Sequence, residues 1–121
     1  MKTLFVVTAA LTLLLGIALI LFPGPMLSSW GVHPDEVALY MARRNGGLFF
    51  GYAVILWLGR TSESSVARTA ILAGSAVVTT VMAVVSLVGV LTGVVGPAVW
   101  GVAAIEILLA AGFSYFYITA R

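Results

Sequence analysis

The sequence predicts an all-α integral membrane protein, a bundle of four transmembrane helices with both termini in the cytoplasm. Hydrophobic residues make up 62% of the 121 positions and charged residues only 8%, against about 25% charged in a typical soluble domain. Mean hydropathy is +1.18. The apolar residues fall into four segments separated by Pro- and Gly-rich breaks, each long enough to cross a hydrocarbon core of about 30 Å.

The first helix is expected over about 3–22, ending at Pro23-Gly24-Pro25. Met1-Lys2 before an apolar stretch also fits a secretory signal. The stretch is longer than a signal's apolar region, and no A-x-A site follows it, so it reads as an uncleaved first span. The second helix is expected over about 34–59, with Pro34 in its first turn and Asp35 and Glu36 beside it, where the helix dipole favours acids. The third is expected over about 66–92, ending in the Gly93–Gly96 stretch, and the fourth over about 97–119, opened by Pro97. The β-branched residues of the third would favour a strand in water. In lipid only helices and closed barrels satisfy the backbone, and these segments are too long for barrel strands. The whole chain forms a single transmembrane domain.

Lys2, Arg60, Arg68 and Arg121 share one side of a four-span arrangement, while the loops 23–33 and 93–96 hold no Lys or Arg. The positive-inside rule puts the charged side in the cytoplasm. Trp30 and Trp100 then lie near the outer interface and Trp57 and Tyr117 near the inner one.

The charge of +2 is scattered, with no basic run to follow a phosphate backbone, so nucleic-acid binding is not expected. The chain has no cysteine and one histidine, His33. No metal site, cofactor, nucleophilic triad or catalytic residue is expected.

The second helix carries the polar residues that matter. Its apolar stretch from Gly46 to Leu58 is too short to span, so crossing draws in Tyr40, Arg43, Arg44 and Asn45. The fourth helix holds one ionisable residue, Glu106. Arg43 and Glu106 each lie nine residues past the proline that opens their helix, about 14 Å along it. Matched depth, and the cost of leaving either charge alone, predict that Glu106 pairs with Arg43 or Arg44. Such a pair can simply fix which helices meet. Alternatively Arg43, Arg44, Asn45 and Glu106 line a ligand or proton site whose excess positive charge suits an anionic headgroup or carboxylate.

Small residues mark expected packing faces. These are Gly47 and Gly51 in the second helix, Ser75, Thr79 and Ser86 with Met82, Gly89 and Gly93 in the third, and Thr8, Thr12 and Gly16 in the first. The glycine pair also fits a seam between copies in a homo-oligomer.

Gly16, Pro23, Leu27 and Gly31, followed by Arg44-Asn45-Gly46-Gly47 and Gly51, resemble the pattern of DoxX-like and related small bacterial four-helix membrane proteins. The resemblance covers about the first half of the chain. It implies a four-helix fold and a bacterial inner-membrane location, and no reaction.

The reading that results is a non-enzymatic multi-pass membrane protein. It would be an accessory subunit of a larger membrane protein, or a binder of membrane lipid or a hydrophobic ligand. The alternative is a small oligomeric transporter or channel using Glu106. Small multidrug transporters resemble this chain in helix count, but their acidic residue lies in the first helix, which here has none.

Overall fold

The computed structural model describes residues 1–119. They form five helices: α1 (Lys2–Leu21), α2 (Pro23–Ser29), α3 (Glu36–Gly59), α4 (Val66–Leu91) and α5 (Val99–Thr119). The chain is all-α, as expected, with one short helix that the sequence reading treats as loop.

That short helix has local causes. Pro23 does not merely stop α1; it occupies the first turn of α2, where its missing N–H has no helical partner to lose. The end of α2 is a Schellman turn. Gly31 takes φ +76°, its N–H bonds Ser28 O at 3.0 Å, and Val32 N–H bonds Leu27 O at 2.9 Å. α4 ends in the same way, with Gly93 at φ +76° and Val94 N–H on Gly89 O at 2.9 Å.

Other boundaries move by two residues. α3 begins at Glu36 because the Asp35 carboxylate caps it, accepting from Ala38 N–H at 2.8 Å. Ser65 caps α4 through Arg68 N–H at 3.2 Å. Pro97 does not open α5; it lies in a tight turn in which Val99 N–H bonds Gly96 O at 3.1 Å.

The four long helices pack as two antiparallel pairs, α1 along α3 and α4 along α5, while the pairs approach each other closely at few points. α1 and α3 touch backbone to backbone. A Cβ built on Gly16 would lie 2.8 Å from Gly46 O, and one on Gly46 would lie 2.8 Å from Gly16 O. Small residues permit such an approach between membrane helices. Gly47 and Gly51, the pair expected at this face, have nothing within 4 Å. The interface instead uses the face of Ala42, Gly46, Ala53, Leu56 and Gly59, which are buried.

The two pairs are joined at both ends. At one end Phe5, Ala9, Leu56, Leu72 and Phe113 form a buried cluster drawn from all four long helices, with the Phe5 and Phe113 rings 6.0 Å apart. At the other end Leu27 of α2 packs on Leu19 and Ala42 of the α1–α3 pair, and the turn after α2 makes the link to the other pair. There the Gly96 N–H bonds Trp30 O at 2.7 Å. Between these two seals lies the space described below.

The outer surface is apolar. Leu14, Leu48, Val77 and Leu108, one from each long helix, are all exposed. Three helices, α1, α4 and α5, are long and apolar enough to cross a membrane. α3 has the length, at 24 residues, but Arg43-Arg44-Asn45 interrupts its apolar run.

Candidate functional site

The face that α3 turns toward the other helix pair carries Ala38, Asn45, Phe49 and Tyr52. These residues recur at intervals of seven, four and three, which is one side of a helix. α4 contributes Thr79, Met82 and Ser86 to the same space, and α5 contributes Val102, Glu106 and Leu109. Two cavities result. One, of about 480 Å³, runs from Asn45, Ser86 and Glu106 toward α2 and the α4–α5 turn at Val94 and Val95. The other, of about 320 Å³, runs from Glu106 past Tyr52 and Thr79 to Thr8. Leu15, Trp30, Phe49, Met82, Val102 and Glu106 line both. Glu106 therefore sits where the two cavities meet.

Glu106 is 7% exposed. Ser86 Oγ donates to its Oε1 at 2.7 Å. Its Oε2 is buried and has no hydrogen-bond partner. Buried polar atoms are nearly always satisfied, and one that is not carries a cost of about 1–3 kcal/mol. A second such atom lies in the smaller cavity. Thr8 is 0% exposed, and its Oγ1 has no partner. The contrast with its neighbours is informative. Thr12 donates to Thr8 O at 2.8 Å and Thr79 to Ser75 O at 2.7 Å, the usual way a helical threonine satisfies itself in an apolar setting. Elsewhere on the wall Tyr52 Oη donates to Ser75 Oγ at 2.5 Å.

The ion pair expected from matched depth is not formed. Arg43 and Arg44 are exposed and neither lines the cavities that hold Glu106. The Arg44 guanidinium lies over the Tyr40 ring, 5.9 Å from its centre. The physical reason is rotation about the helix axis. Successive residues turn by about 100°, so Arg44 and Arg43 point roughly 100° and 200° away from Asn45. Asn45, itself exposed at the cavity's edge, alone of the expected α3 cluster reaches the wall with Glu106. The excess of positive charge expected there is thus missing from the cavity lining.

Of the residues read as packing positions, Ser75 and Thr79 are buried, Gly47 and Gly51 face outward, and Ser86 holds the carboxyl. Thr8, read only as a small residue, supplies an unsatisfied hydroxyl. Among the described residues no group of three His, Cys, Asp or Glu side chains could hold a metal ion.

Chemically, the arrangement is an apolar chamber with one carboxyl at its waist, an amide beside it and a free hydroxyl at one end. Neither the curated proteins nor the solved structures contain a match to this chain. Residues 2–120 match the family model described as "Domain of unknown function (DUF8292)", and the chain belongs to that family.

Proposed function

We propose that this protein is a non-enzymatic membrane protein that holds a hydrophobic ligand between its two helix pairs. In this reading all four long helices cross the bilayer as a bundle, with both termini cytoplasmic. The observation that carries the proposal is the Glu106 carboxyl, with one oxygen bonded to Ser86 and the other buried without a partner, at the junction of two apolar cavities. Volumes of about 480 and 320 Å³ fall in the range of small-molecule sites, which are mostly apolar with a few orienting polar groups. A bound molecule with a polar end would satisfy the orphan oxygen.

Membrane lipid surrounds such a protein. A larger membrane protein or a second copy would meet the outward face of α3, where Gly47 and Gly51 leave room for a close approach. A second reading, a small oligomeric transporter using Glu106, draws support from the same unpaired oxygen, since ionisable groups inside membrane segments commonly mark translocation pathways.

The test is gentle extraction from native membranes followed by mass spectrometry of retained molecules. The wild type should retain a small apolar molecule in stoichiometric amount. Val102→Phe, which fills the shared wall of both cavities, should not, while keeping its helical content. Equal retention by both, or by neither, refutes the cavity as the site.

A further inference from the structure

Resting on the reading of the cavity as a ligand site, we infer that its ligand is an amphiphile whose head donates a hydrogen bond, an ammonium or hydroxyl group rather than an anion, seated on Glu106 Oε2. Three observations lead there. The first is the identity of the unsatisfied atom. Ser86 already donates to Oε1, and Oε2 is left buried with no donor facing it, so a donating head would satisfy it. The second is the surrounding charge. Among the described residues no Lys, Arg or His lines either cavity, so a carboxylate or phosphate head would meet Glu106 with no described cation to balance it. Arg43 and Arg44, which would have supplied that balance, are turned outward. The third is shape. The walls beyond Glu106 are apolar in both directions, toward Leu19 and Val95 and toward Leu11 and Leu109, which suits an alkyl or ring body attached to one small head. Asn45, on the same wall, offers its amide oxygen as a second acceptor, and Thr8 Oγ1 can take a polar group at the far end.

The experiment uses the full chain in phosphatidylcholine nanodiscs, with Trp57→Phe and Trp100→Phe so that Trp30, which lines both cavities, is the remaining tryptophan of three. Quenching of Trp30 is titrated with decylamine, decanol, decanoate and decane, each carrying a terminal bromine. The amine should bind tighter than bromodecane by about 10- to 100-fold, as a hydrogen bond to a charged group predicts, with the alcohol between them. Glu106→Gln should remove that advantage, because its amide N–H₂ replaces the accepting oxygen, while bromodecane binds as before. Retained bromodecane binding, still weakened by Val102→Phe, shows that the cavity is intact in that variant. Ser86→Ala, which leaves Glu106 in place, should keep the wild-type order. Decanoate binding as well as or better than the amine overturns the donor assignment and leaves the cavity as a ligand site. Quenching by all four that Val102→Phe does not weaken, or no quenching at all, overturns both.

Discussion

A single-residue shift along α3 gives a sharp test of how the helices pack. Gly46 and Gly47 are neighbours in one helix, so the gain in helix propensity on changing either to Ala, up to about 1 kcal/mol, largely cancels between the two variants. Their surroundings differ. A Cβ on Gly46 would lie 2.8 Å from Gly16 O, 2.8 Å from Ile20 Cγ1 and 3.1 Å from Leu19 Cβ, whereas one on Gly47 would meet nothing within 4 Å. Carbon atoms prefer neighbours at about 3.5–4.0 Å. Ile20 can change rotamer, but the Gly16 carbonyl can move only if α1 moves. Overpacking of this kind costs about 1–3 kcal/mol, so Gly46→Ala should be less stable than Gly47→Ala by that amount, roughly a 5- to 150-fold difference in the unfolding equilibrium. Denaturation by sodium dodecyl sulfate in mixed micelles, followed by circular dichroism, measures it. Gly51→Ala should behave like Gly47→Ala. If Gly47→Ala and Gly51→Ala lose as much as Gly46→Ala, the outward face of α3 is itself a packing surface against another chain, and the assignment of Gly46 as the contact glycine fails.

Three further outcomes follow from the polar groups and the ends of the helices. Glu106→Gln keeps an acceptor for Ser86 and exchanges one unsatisfied atom for another, so the thermal midpoint in detergent should shift by the equivalent of about 1 kcal/mol or less; a loss of about 3–5 kcal/mol would instead signal a broken buried ion pair. Tyr52→Phe deletes the bond to Ser75 and should cost about 0.6 kcal/mol, the average for such bonds within membranes, with Tyr52→Phe and Ser75→Ala together costing less than the sum of the two. Because the natural chain has no cysteine, single cysteines at Ser28 and Ser64 report topology cleanly: an impermeant maleimide should label Ser28→Cys on intact cells and Ser64→Cys only after lysis, and equal labelling of both would refute the four-span reading.

The helices were legible because apolar length and Pro or Gly breaks act locally. α2 was not, because Pro-Gly-Pro reads as a break from sequence alone; only the Schellman turn at Gly31 and the packing of Leu27 beneath it make seven residues worth ordering. At the site, depth was readable and direction was not. Counting residues from the helix ends placed the Arg43–Asn45 level opposite Glu106, since the rise per residue is fixed. Which of three consecutive residues faces inward depends on the rotation of α3, which its contact with α1 sets. Two signals in the sequence could have fixed that rotation: Ala42 and Gly46, a small-xxx-small pair one register away from Gly47 and Gly51, and the stripe of Asn45, Phe49 and Tyr52. Nothing in the sequence distinguishes Thr8, whose hydroxyl is free, from Thr12, which bonds back to its own helix, because that choice depends on what lies across the cavity.

The two arginines bear on whether α3 can accompany its partner across a bilayer. α3 lies beside α1 from the Gly46–Gly16 contact to the approach of Gly59 to Phe5, a stretch of about 20 Å of α3 at 1.5 Å per residue. If α1 spans a hydrocarbon core of about 30 Å, the apolar part of α3 occupies some two thirds of the same depth. Arg43 and Arg44 then fall in the remaining third. The Cα–Cβ bonds of a helix tilt toward its N-terminus, so both side chains are aimed at the Glu36 end of α3, away from the membrane centre. The seating of the Arg44 guanidinium over Tyr40, one turn nearer that end, follows this direction, with an aromatic ring of the kind found at membrane interfaces. The insertion cost of about 2.5–3.5 kcal/mol for an arginine applies at the helix centre and falls as the side chain reaches the headgroups. In the four-span reading this tilt aims the arginines at the headgroups, while the rotation of α3 keeps both of them off the cavity lining that holds Glu106.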